Sequence, residues 1–165
     1  DTYYWDYWPK QFKKAGLDYV LPINHISEAG ALKICAQSKL ADVVNSCLRG
    51  NGGHWCGTCW KCFHKNGPLG RGIDPTSKEI SIFLNKKPLR TAQHALWALK
   101  VQSLEHLAPH LAEHIADDLS WWDKAYEPGL GLIEEPLRSV VKEKTEKYLE
   151  WMTKPYALVE VDLDV

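Results

Sequence analysis

Four of the five cysteines in this chain fall within sixteen residues, as Cys47, Cys56, Cys59 and Cys62. Three of them are spaced Cys-x-x-Cys-x-x-Cys. The surrounding stretch, residues 47–75, holds seven of the eleven glycines together with Pro68 and Pro75. Such a segment cannot build a conventional apolar core, so something else must order it. An odd number of tightly clustered cysteines is a poor disulfide framework for 165 residues. Thiols at two-residue spacing suit coordination instead, because short turns can aim several sulfurs at one cation. The expectation is a closed, structural zinc site with Cys47, Cys56, Cys59 and Cys62 as its four thiolate ligands. His54 is the rival to Cys47 as fourth ligand, and an iron–sulfur cluster is the rival to zinc. Metal binding would supply folding free energy to a loop that has no core of its own. Cys35, in the run Ala31-Leu32-Lys33-Ile34-Cys35-Ala36, reads as a buried small hydrophobe. Reduced, metal-bound thiols imply a reducing compartment, and the cytoplasm is expected.

Outside this loop the chain reads as helical. Pro9 at a first turn and Gly16 as a cap frame a short helix after an aromatic cluster that includes Tyr3, Tyr4, Trp5, Tyr7 and Trp8. Tyr19–Ile23 reads as a short strand or extended arm. Ser27 can cap a helix with Glu28 in its first turn. A further short helix is expected over residues 39–45. Beyond the loop, Thr76 can cap a helix through Ile80, Phe83 and Leu84, and Pro88 can start another through Ala92, Leu96 and Leu99. A third helix is expected over residues 104–119, entered or bent at Pro109. Pro136 opens one carrying Leu137, Val140 and Val141. The tail from Tyr156 alternates like an edge strand. The fold class expected is mostly α: a zinc-stabilised Gly-rich loop followed by a helical domain, divided as residues 1–75 and 76–165.

Composition closes off several classes. With 45% hydrophobic and 25% charged residues the chain is neither disordered nor fibrous. No apolar run approaches the ~20 residues that cross a bilayer, so no membrane partner is expected. A formal net charge of -1 argues against non-specific nucleic-acid binding as the main activity. A chain that opens on Asp1 reads as processed, or as part of something larger.

The spacing of Cys47, then eight residues, then Cys56-Gly57-Thr58-Cys59-Trp60-Lys61-Cys62 resembles the zinc motif of the 7-cyano-7-deazaguanine synthases. These are ATP-dependent enzymes of deazapurine synthesis. Upstream, Leu21-Pro22-Ile23-Asn24-His25-Ile26-Ser27-Glu28 resembles that family's Pro-containing arm leading into a capped helix, and residues 29–46 take the place of the helix that feeds the first zinc cysteine. The resemblance covers about residues 20–65. It implies the C-terminal portion of an α/β ATP-pyrophosphatase-type enzyme, one that adenylates a carboxylate and lets a nitrogen nucleophile displace AMP. The Ser-Gly-Gly-x-Asp-Ser phosphate loop of that family is not found in these 165 residues. About a hundred residues follow Cys62, where the family ends soon after. The expectation is therefore a divergent relative whose ATP chemistry resides in an N-terminal catalytic domain, with that domain as partner and a small-molecule or nucleotide-like substrate. A second copy of the chain is a further candidate partner.

Three weaker signals remain. His106, His110 and His114 recur every four residues and would share one helix face, where a polar surface is the expected reading and a catalytic metal for a hydrolase the sharper one. Trp121-Trp122 reads as core or docking surface. Lys61, His64, Lys65, Arg71, Lys78, Lys86, Lys87 and Arg90 follow the cysteine loop closely. A solvated face is the expected reading of such a set; contact with a nucleotide or RNA phosphate is the sharper one and goes with the alternative function, a zinc-stabilised helical module that binds RNA or a partner protein.

Overall fold

The computed structural model describes residues 7–47, 49–51, 53–86, 89, 92–116 and 118–156. The expectations placed on Tyr3 to Trp5, on Lys87, Pro88 and Arg90, and on the tail beyond Tyr156 lie outside these residues. The molecule is mostly α. Among the described residues the nearest thing to a sheet is one parallel bridge, Ala125 to Trp151, made by Ala125 N–H to Glu150 O at 2.8 Å and Met152 N–H to Ala125 O at 2.9 Å. No helix here is long and apolar enough to cross a membrane.

Among the described residues six α-helices follow in chain order: α1 (Trp8–Lys14), α2 (Glu28–Gln37), α3 (Lys78–Leu84), α4 (Ala92–Val101), α5 (Ala112–Ile115) and α6 (Glu135–Glu146). Pro9 enters α1 and Gly16 leaves it in the left-handed region, at φ +71°. Ser27 caps α2 by accepting from Gly30 N–H at 3.0 Å, and its hydroxyl also donates to the Trp122 carbonyl. The cap of α3 is Ser77, one residue beyond the expected Thr76; Thr76 is drawn away by Asp74, to which its hydroxyl donates at 2.7 Å. Pro136 stands in the first turn of α6 as expected.

One expected helix is absent and another is broken. Residues 39–45 form turns; the Ala41 carbonyl, which a helix would spend on the Asn45 amide, accepts from the Arg71 guanidinium, as does the Val44 carbonyl. Residues 104–119 break into short turns at Glu105–Leu107 and Pro109–Leu111 before α5. Ser103 enters that stretch at φ +56° and Pro109 has no amide to donate, so a continuous helix cannot run through it.

The core is built around α4. His94, Ala95, Leu96, Trp97, Ala98 and Leu99 are buried in succession, which makes this helix apolar on every side. It packs against α5 and against a π-helical turn at Cys62–Asn66 that belongs to the cysteine loop. Ala29 and Leu32 of α2, Phe63 of the π-turn, Ile80, Phe83 and Leu84 of α3, and Leu111, Ile115 and Leu119 complete one cluster. That cluster draws on residues from both sides of position 75.

A second, smaller contact joins the ends of the described chain. His25, 2% exposed, meets Thr145 Oγ1 at 2.7 Å and stacks on Trp151 with centroids 5.8 Å apart. Thr145 spends its hydroxyl proton on the Val141 carbonyl, at 2.9 Å, so His25 donates from Nε2. Gly129 sits so close that an added Cβ would lie 2.8 Å from His25 Cα; only glycine fits there.

Truncation of Leu99→Ala removes a fully buried side chain from the centre of this cluster and should cost about 2–5 kcal/mol of unfolding free energy in a urea titration. A second expectation concerns pH. Burial holds the His25 ring below its ordinary pKa, so the folded state resists a proton that the unfolded chain accepts below about pH 6.5. The stability it confers is complete above that pH and is lost as pH falls. The advantage of wild type over His25→Gln, measured by urea unfolding at pH 7.5, 6.5 and 5.5, should shrink toward acid; a constant difference would show that the ring titrates normally.

Candidate metal centre

The loop closes its four cysteines onto one point. All four sulfurs lie within 4.8 Å of one another. Cys47 Sγ is 3.9 Å from Cys59 Sγ, Cys56 Sγ is 3.8 Å from Cys62 Sγ, and Cys59 Sγ is 3.6 Å from Cys62 Sγ. Disulfides need sulfurs about 2.05 Å apart. Sulfurs bound tetrahedrally at about 2.3 Å from a metal would be separated by about 3.8 Å, which is the spacing seen. The cluster can hold a metal ion. His54 is exposed and does not join it; Cys47 does.

Local structure explains the convergence. Gly57, at φ +74°, turns the chain between Cys56 and Cys59, and its carbonyl accepts from Asp74 N–H at 2.9 Å. Cys59 then starts a helical run, with Phe63 N–H donating to Cys59 O at 3.0 Å, so that Cys62 faces the same point one turn later. Cys47 arrives from a separate segment. Gly50 allows this return path to close, since a Cβ there would fall 1.6 Å from the His54 carbonyl oxygen. Donors that address the sulfurs directly include Cys56 N–H to Cys47 Sγ at 3.3 Å, Thr58 Oγ1 to Cys56 Sγ at 3.6 Å and Asn66 Nδ2 to Cys62 Sγ at 3.4 Å.

The four thiols do not ionise alike. Burial opposes the thiolate at Cys56, yet the Thr58 hydroxyl and amide outweigh it and bring this thiol down to about 6. Cys47 is lowered too, where the Cys56 and Arg49 backbones outweigh burial. Burial, with the neighbouring sulfurs of Cys56 and Cys62, pushes Cys59 up to about 12, and burial raises Cys62. Four anionic sulfurs this close repel one another unless a cation sits among them, and a metal that enters must displace the protons that remain.

The π-turn couples the cluster to the core. Phe63 and His64 are fully buried, His94 Nε2 on α4 meets the His64 carbonyl at 2.9 Å, and Gln102 Nε2 donates to the Phe63 carbonyl at 3.1 Å. The His64 and His94 rings lie 4.7 Å apart. Burial first, then the nearby His94 and Lys65, brings the His64 ring down to about 3, so it is a neutral packing element. Glu28 braces the same corner: its carboxylate lies 3.2 Å from Lys65 Nζ and 3.2 Å from His94 Nδ1, the latter out of line for a hydrogen bond.

The histidine row does not form a site. His106 is exposed and lies before the break at Pro109, while His110, in the turn that leads into α5, spends Nε2 on the Leu84 carbonyl at 3.1 Å and not on a site with His114. Trp121 and Trp122 meet edge to face at 5.3 Å, and Trp122 packs against the core. Sequence reasoning passed over Thr58, Asn66 and Trp55 as parts of the site. Asn66, four residues beyond Cys62, was within reach of it, because that spacing puts both side chains on one face of a helical turn.

A model of the family of unknown function DUF6395 matches residues 7–157. The chain belongs to that family. No curated protein and no solved structure matches it. The match spans the cysteine loop, α4 and α6 alike, so the whole described architecture is that of the DUF6395 domain.

Replacing one sulfur should unpick the loop and reach the core through Phe63. In Cys59→Ser, amide exchange should lose protection across residues 47–66 and the unfolding midpoint should fall, with most helical signal kept. Equal protection in the variant and in metal-loaded wild type would show that the cysteines do not organise this segment.

Proposed function

We propose that Cys47, Cys56, Cys59 and Cys62 hold one structural zinc ion, and that the chain is the zinc-bearing C-terminal portion of an ATP-dependent enzyme resembling the 7-cyano-7-deazaguanine synthases. The four-sulfur cluster carries this reading. It is closed, with every tetrahedral position taken by sulfur, so zinc here would organise the fold and would leave no position for a substrate or an activated water. Sulfur spacing of 3.6–3.9 Å suits a single ion, whereas an iron–sulfur cluster places several atoms between its cysteines. Soft thiolate ligands in a tetrahedron favour zinc among the common divalent ions.

The enzymatic part rests on the motif spacing and on the Ser27-capped helix that precedes it. In this reading the chemistry is adenylation of a carboxylate with ATP and displacement of AMP by a nitrogen nucleophile. ATP would bind the N-terminal catalytic domain, and the present chain would contribute a metal-stiffened loop, most naturally in the cytoplasm, where thiols stay reduced. The alternative, a module that docks RNA, draws on less of the molecule. Of the basic set, His64 is buried and neutral, Lys65 faces Glu28, and Arg71 is committed to backbone carbonyls.

Elemental analysis of the purified chain should show close to one zinc per molecule, retained at neutral pH and released in acid as protons compete for the thiolates. The 165 residues alone should not convert ATP to AMP. Turnover by this chain in isolation would overturn the assignment of ATP chemistry to another segment, and zinc well below one per chain would overturn the metal.

A further inference from the structure

One guanidinium bridges the segment that precedes Cys47 and the side chain of Asn66 that addresses Cys62. Arg71 Nη1 donates to the Val44 carbonyl at 2.6 Å and to Asn66 Oδ1 at 2.9 Å, while Nη2 donates to the Ala41 carbonyl. Asn66, 1% exposed, turns the other end of its amide to the metal centre, where Nδ2 donates to Cys62 Sγ. This pairing fixes the orientation of the amide: only Nδ2 can donate to sulfur and only Oδ1 can accept from a guanidinium. On the other side, Ala41 and Val44 belong to the turns that deliver Cys47. Between them and the cysteine stands Asn45, whose Oδ1 accepts from Cys47 N–H at 2.9 Å and whose Nδ2 donates to Gly53 O at 3.2 Å. The Trp55 ring lies against the guanidinium at 5.2 Å and is itself held by its Nε1 donating to Gly72 O at 2.9 Å.

We infer that Arg71 is a positioning residue for the metal, tying the remote ligand Cys47 to the Cys56–Cys62 turns and, through Asn66, setting a donor on the Cys62 sulfur. The inference rests on the metal-binding reading above and deepens it. Cys56, Cys59 and Cys62 share one continuous stretch of turns, so their relative placement is local. Cys47 stands nine positions before Cys56 and has no helix to hold its segment. A fixed planar fork can serve three acceptors on two segments at once; an ammonium of equal charge cannot match that geometry. Donors to a bound thiolate also hold its rotamer and draw off charge, and their loss costs about 10- to 100-fold in metal affinity.

The test uses the full chain loaded with Co²⁺, whose absorption reports how many thiolates bind it. Wild type, Arg71→Lys and Asn66→Ala are compared by spectrum, by chelator competition and by the rate at which iodoacetamide alkylates each cysteine. Wild type should show tetrahedral four-thiolate cobalt with all four cysteines protected. Folded Arg71→Lys should hold cobalt about 10- to 100-fold more weakly, lose sulfur-to-cobalt charge-transfer intensity, and expose Cys47 first while Cys56, Cys59 and Cys62 stay protected. Asn66→Ala should weaken cobalt retention without selective exposure of Cys47. Folded Arg71→Lys that keeps wild-type retention, or that exposes all four cysteines equally, overturns the inference. Should Arg71→Lys not fold, Asn66→Ala decides, and unchanged retention there overturns it. A wild type that binds no cobalt through four thiolates would instead sink the metal reading itself.

Discussion

Four sulfurs gathered within 4.8 Å of one another are an electrostatic problem before they are a binding site, because at most some of them can ionise without a cation between them. The loop that presents them is rich in glycine and poor in large apolar side chains, so each ordered residue there costs about 1–2 kcal/mol of backbone entropy with little burial to offset it. A metal–thiolate centre answers both difficulties at once. Its attraction would replace the missing core, and its charge would allow the thiolates to coexist.

What transmits the centre to the fold is the π-turn at Cys62–Asn66. A π-helical turn widens the backbone locally, and such turns recur where a chain must aim side chains in a way that a regular helix cannot. Here Cys62 and Asn66 face the sulfurs while Phe63 and His64 are buried against α4. Gly67 permits the close approach that follows, since a Cβ at that position would fall 1.8 Å from Gln102 Oε1. The buried pair His64 and His94, with Glu28 and Lys65 at its rim, seals this junction without charge in its interior. The metal loop is thus not an appendage on a helical domain; one of its side chains, Phe63, lies in the same apolar cluster as Leu96 and Leu99.

Such a closed centre has consequences for function. A metal enclosed by four sulfurs, two of them buried, offers neither Lewis acidity nor a bound nucleophile to a substrate. On the proposed reading, its contribution would be shape and rigidity. On the function proposed above, this segment would form part of the wall of a site whose reactive groups lie elsewhere, and the residues proposed to position the loop, Arg71 and Asn66, would be as informative about the protein as the cysteines.

The sequence alone was enough to single out the four cysteines that the fold gathers, because thiols at two-residue spacing in a glycine-rich loop are a local and rare signal. Capped helices were legible for the same reason. Ser27 and Pro136 mark α2 and α6 through backbone hydrogen bonding and ring geometry that neighbours along the chain already specify. The tertiary structure decided what the spacing left open. It brought Cys47 and not His54 to the cluster, moved the cap of α3 from Thr76 to Ser77, broke the expected helix over residues 104–119, and withheld the one expected over residues 39–45. That last case shows the reason. Residues 39–45 have the composition of a short helix, but their carbonyls are claimed by Arg71, about thirty positions away, and no periodicity in the segment itself records a hydrogen bond made from so far along the chain.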